Sequence, residues 1–249
     1  MAKEKKSKRF YCKSKDGSVT YTSDDNFMYA ETNGTEIRLD LFDKHYYKLR
    51  LYNNVPILEV DGLRMQLVKN FKTPLDYPKE VVKTLKIPSD GKHTVLDTCM
   101  GLGYTAIGAG KKTSVETVIT CEISAAVISL SKWNPLSDAL WNDNENISKF
   151  VPLHGDIFEL IKTFDSEMFS FVIHDPPRFS HAPNLYSSEF YKELNRVCKK
   201  NASIFHYVGS VGKTKGRRID REVMKRLAVA GFMKIKYVPR LQGIIAVKQ

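Results

Sequence analysis

Val95-Leu96-Asp97-Thr98-Cys99-Met100-Gly101-Leu102-Gly103-Tyr104-Thr105 starts as an apolar strand, breaks at two glycines and runs into a helix expected over about Thr105 to Gly110. Gly101 and Gly103 carry no Cβ, so backbone there can come close to a ligand. The helix that follows aims its free N–H groups and positive dipole end at the same place. A G-x-G of this kind also occurs in dinucleotide-binding folds and in plain strand–helix turns. Three later positions narrow the choice. Glu122 ends the next apolar strand, Asp156 follows a third, and Asp175-Pro176-Pro177-Arg178 ends a fourth. A NAD-binding protein would share the strand-end carboxylate. Here, however, the third glycine position of its fingerprint holds Ala106, and no hydride-transfer set follows.

This ordered set resembles the class I S-adenosylmethionine-dependent methyltransferases, from roughly Thr73 to the C-terminus. The family's first motif is acidic-x-Gly-x-Gly-x-Gly, and Cys99 stands at the first glycine. The resemblance implies a Rossmann-like α/β fold with a mostly parallel seven-stranded sheet and an antiparallel last strand. It implies S-adenosyl-L-methionine as cofactor, with Gly101 and Gly103 at the methionine part, Glu122 on the ribose hydroxyls and Asp156 beside the adenine. Asp97, Cys99, Thr105, Ile123, Gly155, Ile157 and Asp175 complete the implied cofactor set. Asp175, Pro176, Pro177 and Arg178 would face the methyl acceptor as the catalytic group. Asp175-Pro-Pro-Arg-Phe-Ser180 and Phe205-His-Tyr-Val-Gly209 look like an archaeal branch of these enzymes presumed to act on RNA.

The strands bracketing these motifs alternate with helices. Strands are expected near Thr94–Asp97, Thr117–Cys121, Phe150–Leu153, Ser170–His174 and Ser203–Val208. Helices are expected near Ala125–Trp133, Ile157–Thr163, Ser187–Cys198 and Asp220–Ala230, after a first one over Lys79–Leu85 that Pro74 and Pro78 introduce. Alternating β and α with unbroken apolar strands predicts a parallel sheet covered on both faces. Lys234–Val238 and Gly243–Val247 read as a closing pair of strands. Upstream, Val19–Tyr21, Phe27–Tyr29, Ile37–Phe42, Tyr47–Tyr52 and Ile57–Val60 predict short strands, with Asp61-Gly62 as a hairpin turn before Leu63. Residues 1–72 are therefore a basic arm (Met1 to Lys15, expected mobile) plus a small β-rich domain, and residues 73–249 the cofactor domain.

Charge is unevenly spread over the 249 residues. The net is +4 over 1–90, −5 over 91–191 and +12 over 192–249. A basic end on an acidic cofactor half suits a polyanion, although a solvated lysine-rich surface would give the same count. No apolar run nears the eighteen or so residues that span a bilayer, and the lysine-rich start has no apolar stretch of the kind secretory signals carry. Cys12, Cys99, Cys121 and Cys198 have no C-x-x-C spacing, so neither a disulfide framework nor a zinc site is expected, and a reducing cytoplasm is the default. His174, His181 and His206 match no metal pattern, and histidines beside strands are often core residues, so no metal is expected.

In methyltransferases with Asp/Asn-Pro-Pro-aromatic, the first side chain and a carbonyl hold an exocyclic amine while the aromatic stacks on the base. Two prolines stiffen the backbone and remove two donors. Here Arg178 stands where the aromatic should be and Phe179 comes next, so amine attack stays open beside other acceptors. Arg178 suits stacking on a base, a phosphate, or a guanine edge. Substrate contacts are expected from Arg178, Phe179, His181 and Tyr186. Further contacts are expected from the basic loop Lys213, Lys215, Arg217 and Arg218. Asp156 also reads as a plain helix cap, Asn134 as a helix stop, and Trp133 as a packing residue. The expected activity is methylation of an RNA base, most directly guanine in tRNA at N2 or N7. The alternatives are a small-molecule or protein methyltransferase, an aminopropyl transfer of the polyamine type, and an RNA-binding protein with a relict cofactor pocket.

Overall fold

The computed structural model describes residues 8–141, 149–209 and 219–249. Two antiparallel sheets of four strands come first. One holds β1 (Arg9–Lys13), β2 (Thr20–Ser23), β3 (Met28–Thr32) and β4 (Thr35–Arg38). The other holds β5 (Asp40–Asp43), β6 (His45–Tyr52), β7 (Val55–Val60) and β8 (Leu63–Arg64). The hairpin expected at Asp61-Gly62 joins β7 to β8. The continuous strand expected over Ile37–Phe42 is instead two strands in different sheets. They part at Leu39, whose side chain is sunk in the shared core while its neighbours stay with their own sheets. The arm expected over Met1 to Lys15 is in part a strand. Arg9–Lys13 pairs with β2, because Tyr11 and Cys12 between the basic residues are half-buried against that core.

Helix α1 (Asp76–Thr84) leads to β9 (His93–Asp97), α2 (Tyr104–Gly110), β10 (Val115–Glu122), α3 (Ala125–Trp133) and the short α4 (Asp138–Trp141). Then come β11 (Phe150–His154), α5 (Ile157–Leu160), β12 (Phe169–His174), α6 (Ser188–Val197), β13 (Cys198–Tyr207), α7 (Ile219–Val229), β14 (Phe232–Val238) and β15 (Gly243–Lys248). These strands form one seven-stranded sheet in the order β11-β10-β9-β12-β13-β15-β14. All neighbours run parallel except β15, which is antiparallel to both β13 and β14. Val95, Leu96, Val172, Ile173, Ile204 and Phe205 are fully buried, as a sheet with helices on both faces requires. The architecture is the Rossmann-like methyltransferase fold.

β9 has β10 on one side and β12 on the other, so strand order reverses there and leaves a crevice beyond the carboxyl ends of the strands. The N-terminal sheets close over one flank of that crevice. Met28, Leu39, Leu49 and Leu58 share a core with Leu102 and Tyr104 of the glycine turn and with Ala126, Val127 and Leu130 of α3. Trp133 packs against the same core. The Tyr104 hydroxyl ties the two parts together by donating to the Pro56 carbonyl at 2.8 Å.

Candidate active site

The glycine turn is held from below. Gly101 (φ 53°) and Gly103 (φ 74°) are both left-handed, the region that favours glycine. A Cβ on Gly101 would meet nothing within 4 Å, whereas one on Gly103 would come within 2.1 Å of Leu140 Cδ1. Gly101 thus faces open space and Gly103 faces the helix behind it. Asn134 does more than stop α3. Its buried amide donates to Tyr104 Oη at 3.0 Å and to Ser137 Oγ at 2.7 Å, and Ser137 Oγ donates to the Leu102 carbonyl at 2.7 Å. A buried polar chain of this kind fixes the turn it touches. The Asn-Pro sequence read as a mere stop concealed that role.

Asp97 and Thr105 lie beneath the turn, not in the crevice. Asp97 is fully buried and accepts from Thr105 Oγ1 at 2.9 Å and from Thr120 Oγ1 at 2.6 Å. Burial, aided by the nearby Glu122, pushes its carboxyl up to about 7 against the opposing pull of the two hydroxyls. A folded-state value raised from 3.8 to about 7 means that the folded chain holds a proton the unfolded chain gives up. The stabilisation is full below about pH 4 and is lost as pH rises through 7. Asp97→Asn should therefore reduce the loss of stability between pH 5 and pH 8 in chemical denaturation. It should not erase that loss, because Asp175 titrates in the same range. An unchanged loss would show that Asp97 is already ionised throughout.

Glu122 stands at the end of β10 with both oxygens engaged by backbone. Gly101 N donates to Oε2 at 3.0 Å and Ser124 N to Oε1 at 2.9 Å. Burial raises its carboxyl, and the N–H groups of Ser124, Gly101 and Ile123 oppose that rise. Each oxygen keeps a lone pair for a further donor. A cavity of about 290 Å³ opens beside it at the carboxyl ends of β9, β10 and β11. Its walls bring together Cys99, Glu122, Ile123, Gly155, Asp156 and Ile157, and the loop after β12 closes it through Pro177 and His181 to Leu185. Ile123 is 65% exposed, a large apolar side chain left uncovered where the cavity opens. Asp156 caps α5, accepting from Phe158 N at 2.9 Å, and it lines the cavity as well. The cap reading of Asp156 therefore holds, and the same residue is part of the cavity wall.

The loop after β12 is pinned by buried histidine chemistry. Leu185 O can only accept, so His174 donates from Nε2 at 2.9 Å and accepts from Thr98 Oγ1 at Nδ1 at 2.7 Å. Burial pushes His174 down to about 4, so it stays neutral in this role. His206 lies beside it at 4.3 Å between ring centroids and shares a 2.7 Å hydrogen bond with Tyr191 Oη. Tyr186, expected to reach substrate, is 1% exposed instead. Its hydroxyl donates to the Pro177 carbonyl at 2.9 Å and its own carbonyl accepts from Arg226 Nη1 at 2.7 Å. The tyrosine anchors the motif from behind because its ring completes the core under the loop.

Asp175 follows β12, half-buried, and burial together with the nearby Asp97 raises its carboxyl to about 7. The Tyr77 phenol opposes that rise from α1, although it makes no well-formed hydrogen bond. Pro177 and Arg178 are exposed, Phe179 is half-buried edge-on against Tyr186 at 5.5 Å, and His181 is exposed at the cavity. Lys213, Lys215, Arg217 and Arg218 lie outside the described residues. Among the described residues no group of three or more His, Cys, Asp or Glu side chains is placed to hold a metal, and no helix is long and apolar enough to cross a membrane. Sequence reasoning missed Tyr77, Thr98, Asn134 and Leu185. Only Asn134, beside a proline at a helix end, carried a local signal.

Comparison with solved structures supports the fold. The spermidine synthase of Thermotoga maritima superposes with a TM-score of 0.64 at 15% identity, over 99% of this chain and 82% of that one. A spermidine synthase in complex with the transition state analogue AdoDATO gives 0.64 and 15%, over 99% and 84%. A probable spermidine synthase from Corynebacterium glutamicum gives 0.59 and 13%, over 86% and 81%. No family model matches the chain. Its sequence is, however, 40% identical over 226 residues to the uncharacterized protein MJ1233 of Methanocaldococcus jannaschii, a match covering 90% of this chain and 75% of that protein. On that identity and coverage, the chain belongs to the same protein family as MJ1233 of Methanocaldococcus jannaschii.

Proposed function

We propose that this chain is an S-adenosylmethionine-dependent methyltransferase that modifies a base in RNA, most directly guanine in tRNA. The observation that carries the reading is the cavity joining Glu122, Ile123, Asp156 and Ile157 to Pro177, two residues after Asp175, and to His181 of the same loop. Its chemistry fits the cofactor. Glu122, pre-aligned by two backbone N–H groups, accepts the ribose hydroxyls, and Ile123 and Ile157 offer apolar surface to the adenine. Gly101 leaves room for the methionine part. The cofactor, when bound, supplies a methyl already activated by a sulfonium. The protein's share is orientation, which in comparable reactions contributes several kcal/mol. Asp175 holds the acceptor amine through one N–H, leaves the nitrogen lone pair facing the donor side, and takes the proton that the nitrogen sheds. Asp97 acts through the turn that it and Thr105 support. Residues 1–72 serve as a unit that docks substrate against the same crevice.

A second reading, aminopropyl transfer to a polyamine, comes from the spermidine synthases that share the fold. Charge separates the two. A polyamine acceptor is a polycation, and here Arg178 is exposed next to Asp175 on a chain of net +11. A polyanion gains from that field. The test supplies labelled S-adenosylmethionine with total RNA, with RNA pretreated with nuclease, and, separately, decarboxylated cofactor with putrescine or spermidine. Label should enter RNA and vanish after nuclease. Label confined to the polyamine arm would replace the first reading with the second.

A further inference from the structure

Beyond the carboxyl ends of β12 and β13, side chains from four separate parts of the chain meet one another. Phe71, between β8 and α1, packs edge-on against Tyr77 at 5.7 Å, and Tyr77 packs edge-on against Tyr207 at 6.4 Å. Arg240, in the turn Pro239–Leu241 between β14 and β15, lies with its guanidinium carbon 5.3 Å from the Phe71 ring centre. That turn packs against α1. β12 and β13 run parallel with His174 opposite His206, so the residues that follow those histidines, Asp175 and Tyr207, stand side by side. The Tyr77 hydroxyl is buried and makes no hydrogen bond of good geometry, and Asp175 is the polar group that it faces. Arg178 and Arg240 are exposed, and neither has a carboxylate within ion-pair distance among the described residues.

Two exposed arginines without carboxylate partners, set beside the half-buried rings of Phe71 and Tyr207 and on the side of Asp175, match single-stranded nucleic acid. Aromatic faces take bases in a sequence-tolerant way and guanidinium groups take the flanking phosphates. We propose that Phe71, Tyr77, Tyr207 and Arg240 complete the acceptor subsite around Asp175 and Arg178. Arg178 and Arg240 hold phosphates of an RNA single strand, and the base between them enters against Tyr207 to reach Asp175. Tyr77 is a positioning residue that acts through Asp175. This rests on the RNA reading above and adds the residues that read the strand. Three of them, Phe71, Tyr77 and Arg240, lie far from every motif in the sequence.

The test measures binding of a fluorescent single-stranded RNA of about twelve nucleotides to the full chain at low and moderate salt, together with methylation kinetics. Each phosphate contact contributes about 0.7 to the slope of log affinity against log salt for single strands. Arg240→Ala should therefore weaken binding several-fold and lower that slope by about 0.7, with cofactor affinity unchanged. Phe71→Leu should weaken binding with the slope kept. Lys200→Ala, at the opposite end of β13, serves as the control for diffuse charge and should change neither. Tyr77→Phe should lower kcat with RNA affinity kept, which separates a role through Asp175 from loss of packing. If Arg240→Ala binds RNA like wild type, or Lys200→Ala weakens it equally, the subsite is overturned while the RNA reading stands. If the wild-type chain neither binds nor methylates RNA, the RNA reading itself fails.

Discussion

Asp175→Ala lowers turnover on the order of a hundredfold or more while cofactor affinity stays near wild type. Alignment of a bound nucleophile is worth several kcal/mol, and this carboxyl is the group best placed to supply it. It leaves β12 between His174, locked to Thr98 and Leu185, and two prolines, the second held by Tyr186. Its position is thus fixed on both sides before any acceptor arrives. Burial and Asp97 raise its carboxyl to about 7, so the ionised form that accepts an N–H and takes a proton is only half populated near neutrality. Activity should climb with pH up to and through about 7. Asp175→Asn, which keeps an oxygen for the amine but cannot take the proton, should lose less than the alanine variant and should flatten that limb. Steady-state kinetics across pH 5.5–8.5, with calorimetry of cofactor binding, checks all three statements. An alanine variant that methylates at the wild-type rate places the acceptor elsewhere and ends the amine mechanism.

Glu122→Ala weakens S-adenosylmethionine binding by about 1.5–3 kcal/mol, the range for hydrogen bonds to a charged group. In calorimetry this reads as a loss of roughly ten- to a hundredfold in affinity. The deletion also releases Gly101 N and Ser124 N, which lose their acceptor. The glycine turn therefore loosens together with the ribose contact. Glu122→Gln keeps one acceptor oxygen and should fall between wild type and alanine. The rate at saturating cofactor should change little, since a carboxylate that binds the donor's ribose is remote from the reacting atoms. An alanine variant with wild-type affinity would remove Glu122 from the cofactor site.

The large sheet was legible because each of its parts leaves a mark on a short window of sequence. Buried parallel strands must be continuously apolar, as in Val95-Leu96 and Phe171-Val172-Ile173, and a tight turn that needs left-handed backbone needs glycine, as at Gly101 and Gly103. Carboxylates at strand ends were legible for the same reason, since Glu122 and Asp175 terminate their apolar runs. The N-terminal region was less legible. Whether Ile37–Phe42 is one strand or two depends on Leu39 being drawn into a core shared with α3, and nothing local to that segment says so. A basic stretch such as Arg9–Lys13 looked unstructured because its pairing partner, not its composition, makes it a strand.

Side-chain direction was beyond reach in the same way. Spacing alone could not show that Asp97 and Thr105 turn inward to bond each other, or that Tyr186 hides under the loop it was expected to decorate. Nor could it bring Phe71, Tyr77 and Arg240 together. The sequence by itself determined the order of strands and helices, the glycine turn and the strand-end carboxylates, since these depend on periodicity and backbone sterics within a few residues. Only the tertiary structure decided which polar groups face the crevice and which hold it up, because that choice is made by packing between segments up to a hundred and more positions apart.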